Sequence, residues 1–274
     1  MESSNFESFL KINIFIFLNV SLIYINIIDN SRLRRCTLRH RRAPVPKIIV
    51  QTDAPIDMTE RRLSQRRLTG AHYKKDDLVN SFVFNTTPSI RMGAGMLAEL
   101  GNLAQALCGQ TVLLVTDPGM MATDIVDRAL VSLKDAGVSA TVFSDVVADP
   151  PEAVVLAAAD AAKGQGGVIG LGGGSSIDVA KLAALLATGT ETLGQVYGVG
   201  MAKGPRLPLI AIPTTAGTGS EVTPISIVTT GKSEKMGVVS PIIIPDLALL
   251  DPELTLGLPA PVTAATGIDA MVHA

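Results

Sequence analysis

The sequence predicts an α/β fold, a mostly parallel sheet with helices on both faces. Three observations predict it. From residue 82 onward, short apolar strands alternate with helical stretches, the pattern of repeated strand–helix–strand units. Residues 166–181, Gly-Gly-Val-Ile-Gly-Leu-Gly-Gly-Gly-Ser-Ser-Ile-Asp-Val-Ala-Lys, run from strand through a glycine turn into a helix. Asp117, Gly172–Ser175 and Thr214–Thr218 each fall just after a predicted strand. They therefore share one edge of the sheet, the edge at which such sheets bind ligands.

In order, Phe82–Phe84 reads as a short strand and Pro88–Leu107 as a helix with glycine interruptions. Thr111–Val115 is a buried strand that ends at Thr116-Asp117-Pro118. Met120–Ala136 is a helix stopped by Gly137. Ala140–Phe143 is a strand and Pro151–Lys163 an alanine-rich helix. Val168 and Ile169 end the next strand; Gly172, Gly173 and Gly174 turn the chain. Ser175 is the expected N-cap of a helix from Ser176 through Leu186. Leu207–Ile212 is a strand closed by Pro213, residues 222–229 and 236–239 alternate like paired strands, and Ala248–Leu250 is a last short strand. Asp251-Pro252-Glu253-Leu254 starts a turn into helix, and Pro261–Ala274 is helical.

Composition bounds the function. The 274 residues carry a net charge of −2, so no global basic field points to nucleic acid. Hydrophobic residues make up 47% and aromatics 4%, with no Trp, so Ala, Val, Leu and Ile fill the core. Cys36 and Cys108 form neither a disulfide framework nor a zinc spacing, which suits a reducing compartment.

Residues 1–75 differ in kind from the rest. All 25 glycines lie at or after Gly70, and Ala43 and Ala54 are the only alanines before it. Residues 9–28 are rich in Ile, Phe and Asn, and a basic cluster follows, from Arg32 to Arg42. Three readings fit: a membrane anchor through residues 9–28, an organellar (mitochondrial) targeting segment, or an extension foreign to the fold. The compositional break favours the third. Function is expected from residues 76–250, a nucleotide-binding α/β domain, and from 251–274, the start of a second, helical domain. The expected compartment is the cytoplasm.

The glycine turn has the makings of a phosphate seat. Free N–H groups and the positive end of the helix dipole face one spot, and no Cβ blocks approach. An ordinary tight turn between strand and helix has the same residues. Asp117 suits the two hydroxyls of an adenosine ribose and repels a 2′-phosphate; before Pro118 it equally suits a helix cap. Residues 213–224, Pro-Thr-Thr-Ala-Gly-Thr-Gly-Ser-Glu-Val-Thr-Pro, are dense in small hydroxyls: Thr214, Thr215, Thr218 and Ser220. Asp269 and His273, four apart on a helix, share one face and can share a divalent metal, although such a pair is also a common surface hydrogen bond.

Together, residues 80–274 resemble the iron-containing (group III) alcohol dehydrogenase family. The motifs are Gly-Gly-Gly-Ser-Ser-Ile-Asp-Val-Ala-Lys at 172–181, Ile-Pro-Thr-Thr-Ala-Gly-Thr-Gly-Ser-Glu-Val-Thr at 212–223, Asp-Pro-Glu-Leu-Thr at 251–255 and Ala-Thr-Gly-Ile-Asp-Ala-Met-Val-His-Ala at 265–274. The resemblance implies a dehydroquinate synthase-like fold: a Rossmann-like, doubly wound, mostly parallel sheet, then the start of an all-helical domain, with the active site in the cleft between. It implies NAD, with its pyrophosphate on Gly172, Gly173, Gly174 and Ser175, further contacts from Thr214, Thr215, Lys235 and Thr255, and Asp117 favouring NAD over NADP. It implies Fe²⁺ held by one Asp and three His, of which Asp269 and His273 match the first two; Zn²⁺ would also suit such ligands. The metal polarises the oxygen of a small-molecule alcohol or aldehyde while hydride passes to or from the nicotinamide, and the full-length enzyme is expected to be a homodimer.

One departure accompanies the match. In the family the remaining two histidine ligands lie further along the helical domain, whereas here Ala274 follows His273, and His40 and His72 occupy no ligand position. The 274-residue chain is therefore expected to be truncated, to bind nucleotide and to turn over little. The alternative is a non-catalytic nucleotide-binding fragment. A metal-free relative such as a maleylacetate reductase fits less well, because Asp269 and His273 would have no use there.

Overall fold

The computed structural model describes residues 85–231 and 233–272. The atypical segment 1–75, the expected strand Phe82–Phe84 and His273 lie outside the described residues.

The chain enters through strand β1 (Ser89–Met92), a 3₁₀ turn at Met96–Glu99 and helix α1 (Leu100–Cys108). A single helix was expected over Pro88–Leu107. Its first part, Ser89–Met92, is instead a strand, and helical structure starts only after Gly95, which takes φ 77°, with the buried Asp251 carboxylate accepting the Gly95 and Leu97 N–H groups at 3.1 and 3.0 Å. Strand β2 (Thr111–Val115) follows the expected bounds. The next expected helix, Met120–Ala136, is divided into α2 (Pro118–Met121) and α3 (Asp124–Asp135). Thr123 between them takes extended backbone and caps α3, its hydroxyl accepting the Ile125 N–H.

Strand β3 (Ser139–Phe143), helix α4 (Glu152–Ala162), strand β4 (Gly167–Gly172) and helix α5 (Gly174–Leu186) come next. Ser175 is not the N-cap of α5. Gly173 is, in extended backbone and with no side-chain cap bond. A short helix α6 (Leu193–Val196), closed by a Thr192–Gln195 capping box, leads to the two-residue strand β5 (Gly198–Val199). Then come β6 (Leu209–Pro213), β7 (Ile225–Thr230), β8 (Glu234–Val239), β9 (Leu247–Leu250), a 3₁₀ turn at Pro252–Thr255 and helix α7 (Ala260–Val272).

Among the described residues six strands make one sheet in the order β1-β9-β6-β4-β2-β3, every pair parallel. β7 and β8 form an antiparallel hairpin that β5 joins in a second, small sheet. Alternate residues of the large sheet feed two cores. Leu113, Val115, Val168 and Leu209 pack with α4 and α5; Val112, Leu114, Ile169 and Ile210 pack with α1 and α3. The fold is thus doubly wound, as predicted.

The winding also places a crevice. From β2 the chain moves outward to β3 through α3. From β4 it moves the other way, to β6 and β9, with α5 on the opposite face. The loops after β2 and β4 therefore diverge, and the gap between their carboxyl ends is the topological switch point at which such sheets take ligands. Asp117 follows β2 and Gly172 ends β4.

Candidate functional site

At the switch point the glycine turn closes on Asp117 and the Thr-rich loop. Gly172 has φ 146°, and a Cβ there would stand 2.7 Å from Ser176 Oγ and 3.1 Å from Asp117 Oδ2. A Cβ on Gly174 would stand 2.9 Å from Thr218 Cγ2, and one on Gly173 would stand 3.8 Å from Thr215 Cγ2. The two glycines thus allow a carboxylate and a threonine to approach the backbone where a side chain would keep them apart. Asp117 accepts the Met120 N–H at 3.0 Å as the cap of α2, and its other oxygen accepts the Ser176 hydroxyl at 3.2 Å. The α5 N-terminus has no side-chain cap, so its first N–H groups and its dipole serve whatever lies in the crevice. Beside it, the buried Thr116 hydroxyl has no protein partner, and the buried Thr214 hydroxyl reaches only Met120 Sδ, at 3.6 Å.

The turn therefore brings together Asp117, Gly172, Gly173, Gly174, Ser175, Thr214 and Thr215. These residues offer backbone N–H and hydroxyl donors with one carboxylate at their side, the chemistry that a pyrophosphate and a ribose call for. Two other predicted residues stand apart. Lys235 lies on β8, exposed, with its ammonium 2.6 Å from the Asp149 carboxylate. Thr255 is buried in the turn after β9, and its hydroxyl donates to the Pro252 carbonyl at 2.9 Å.

Asp269 lies on α7, partly buried. The Thr-rich loop meets that helix, since a Cβ on Gly217 would stand 2.6 Å from the Thr266 carbonyl oxygen. Among the described residues no group of three or more His, Cys, Asp or Glu is placed to hold a metal ion. The described residues alone therefore do not make a metal centre.

Residues 87–252 match the family described as iron-containing alcohol dehydrogenase. The chain belongs to that family. It is 42% identical over 201 residues to long-chain-alcohol dehydrogenase 1 of Geobacillus thermodenitrificans, covering 68% of this chain and 48% of that one. It is 38% identical over 197 residues to sulfoacetaldehyde reductase of Bilophila wadsworthia, covering 71% and 51%. Among solved structures it resembles sulfoacetaldehyde reductase from Bifidobacterium kashiwanohense in complex with NAD⁺, with a TM-score of 0.61 and 34% identity over 69% of this chain and 51% of that one. The chain thus spans about half the length of the iron-containing alcohol dehydrogenases it matches.

Sequence reasoning missed a second group in this chain. Lys181 on α5 is fully buried, and its ammonium donates to the Thr223 and Ile225 carbonyls at 3.0 and 2.6 Å. Asp178, one turn earlier, lies 3.7 Å from that ammonium and accepts the Ile227 N–H at 3.0 Å. Glu221 is buried nearby, with Oε2 unpaired among protein atoms. Burial pushes the Asp178 and Glu221 carboxyls up and the Lys181 ammonium down, each opposed by the opposite charges around it. The signal was present in the sequence: apart from Asp178 and Lys181 themselves, residues 177–186 are all apolar, which leaves Lys181 no polar face to join.

Proposed function

We propose that this chain is the nucleotide-binding part of an oxidoreductase that moves a hydride between an alcohol/aldehyde pair and NAD(H). The observation that carries this is the uncapped N-terminus of α5 at the switch point, flanked by Asp117 on one side and Thr215 and Thr218 on the other. In this reading the N–H groups of Gly173, Gly174 and Ser175 hold the pyrophosphate. Thr214 and Thr215 donate beside it, Asp117 takes the adenosine ribose hydroxyls, and Lys235 and Thr255 flank the remainder. NAD, when bound, supplies the hydride acceptor or donor. Fe²⁺ is the ion expected from the family. Asp269 and His273 are the residues of this chain that would hold it, and two protein ligands are fewer than the three that catalytic sites ordinarily provide. The substrate is a small alcohol or aldehyde, the compartment the cytoplasm and the assembled enzyme a homodimer.

Titration of the purified chain with NADH, followed by nicotinamide fluorescence, tests the reading. Saturable binding is expected, and Gly174→Val, which sets a branched side chain against Thr218, is expected to weaken it about tenfold or more. Wild-type protein that leaves NADH fluorescence unchanged would sink the proposal. Binding without alcohol-dependent NAD reduction in the presence of Fe²⁺ would identify the chain as a non-catalytic nucleotide binder.

A further inference from the structure

We infer that Lys181, together with Asp178, is a positioning residue that fixes the Thr-rich loop 213–224 over the glycine turn. The loop has few bonds of its own. Between its ends are the Val222 N–H to Gly219 carbonyl bond at 3.0 Å and a long Ser220 N–H to Thr218 hydroxyl contact at 3.4 Å. From outside, the Thr87 hydroxyl donates to the Glu221 carbonyl at 2.7 Å and the Thr86 hydroxyl to the Val222 carbonyl at 3.4 Å, and the rest of its position is set where its two ends are attached. The first attachment is the Thr214 N–H donating to the Gly172 carbonyl at 2.9 Å. The second is the helix that begins at the same turn. Lys181 holds the Thr223 and Ile225 carbonyls, Asp178 holds the Ile227 N–H, and the Ser226 hydroxyl donates to the Asp178 carbonyl at 3.0 Å. Residues 223–227 are thus stitched to one turn of α5, and both ends of the loop are tied to one strand–turn–helix unit.

Chemistry explains why the residue is lysine. Two carbonyls two residues apart, both facing a helix, need a donor with several protons and a long reach, and an ammonium on four carbons has both. A buried ammonium with no such work would be disfavoured relative to an apolar side chain of equal volume. Asp178 offsets the charge and uses its second oxygen on the strand. The pair acts through the backbone it holds, with the Ser220 hydroxyl of the loop also interacting with the Asp178 carboxyl.

The ligand side of this inference rests on the nucleotide reading above; the loop side does not. The test compares wild type, Lys181→Met and the double variant Lys181→Met/Asp178→Asn in the full 274-residue chain. Three readouts are followed: melting temperature, amide hydrogen exchange, and NADH affinity by fluorescence. Lys181→Met alone leaves Asp178 and Glu221 without their shared counter-ion and is expected to lower the melting temperature. The double variant removes the Asp178 charge and keeps an acceptor for the Ile227 N–H, leaving Glu221 alone to take up a proton, so its melting temperature recovers in part. Its loop does not recover: the Thr214 and Val222 amides exchange faster than in wild type while β2 and β4 stay protected, and NADH binds about tenfold more weakly. A double variant with wild-type loop exchange would overturn the inference and leave the pair as mere mutual compensation of buried charge. Exchange in the wild-type protein gives an independent arm that no folding defect can spoil. Val222 should exchange with α5 as one cooperative unit, and a loop that opens far more readily than α5 would also overturn the inference. If wild type fails to bind NADH, the functional reading fails, and the exchange data still decide the positioning role.

Discussion

At Asp117 the structure shows the helix cap, one of the two roles the sequence leaves as alternatives, and adds a bond to the glycine turn. The side chain caps α2 through the Met120 N–H and also takes the Ser176 hydroxyl at the glycine turn. An ionised carboxylate has about four acceptor positions, so these two bonds leave room for ribose hydroxyls. Asp117→Asn separates the roles. Asn caps a helix as well as Asp does, so stability should change by less than about 0.5 kcal/mol. Loss of the charge removes the repulsion of a 2′-phosphate, and NADPH affinity should rise about tenfold relative to NADH. Parallel fluorescence titrations with the two nucleotides check this, and an unchanged ratio would remove Asp117 from the ribose site. Much of the cradle was legible because its residue types have few other uses: three glycines in a row, small hydroxyls after a buried strand, a carboxylate after another. Ser176 and Lys181 were not legible as parts of it, because their partners are Asp117 and the Thr223 and Ile225 carbonyls, 42 or more residues away in sequence. Lys235 shows the limit from the other side: its motif is readable, but its ion pair with Asp149 depends on how the hairpin lies.

Among elements, β6 and β9 are joined at their amino ends by Arg206 and Asp246, at the edge of the sheet opposite the glycine turn. Arg206 donates to the Ile242, Leu207 and Ile244 carbonyls and forks onto Asp246, whose Oδ2 also accepts the Leu209 N–H at 2.8 Å. A planar fork fits five acceptors where an ammonium cannot. Arg206→Lys should therefore cost about 2 kcal/mol in urea unfolding, with NADH affinity unchanged, since the nucleotide seat is at the other edge. A variant as stable as wild type would show that the fork contributes little. The sequence marked the central strands well, because β2, β4 and β6 are buried on both faces and read as unbroken apolar runs. It missed β1, an edge strand of four residues with Ile90 exposed, which offers neither a run nor a clean alternation. It joined α2 to α3 because the apolar spacing continues across Thr123, where a cap decides the break. The capping box at Thr192–Gln195 was readable and would have found α6.

For the whole molecule, the buried cluster behind the loop sets how stability responds to pH. Asp178 and Glu221 share one ammonium, Lys181, so with all three ionised the cluster carries one surplus negative charge in a dry place. Glu221 Oε2 and Asp178 Oδ1 both lack a hydrogen-bond partner among protein atoms, and Asp178 is the one 3.7 Å from the ammonium. Burial first, against the attraction of Lys181, holds the Glu221 carboxyl above the ordinary value of 4.5. A carboxyl raised in the folded state binds its proton more tightly folded than unfolded. Its contribution is therefore present in full below 4.5 and is lost as pH climbs from there to the folded value. Within that window one such group gives a slope of about 1.4 kcal/mol per pH unit, stability falling as pH rises. Glu221→Gln removes the titrating proton and leaves Lys181 and Asp178 as a neutral pair. The variant should match or fall below wild type near pH 4.5 and gain on it as pH rises from there. Urea unfolding of both proteins across that range checks the sign. Parallel profiles would mean that Glu221 titrates as an ordinary surface carboxyl and that water reaches the cluster.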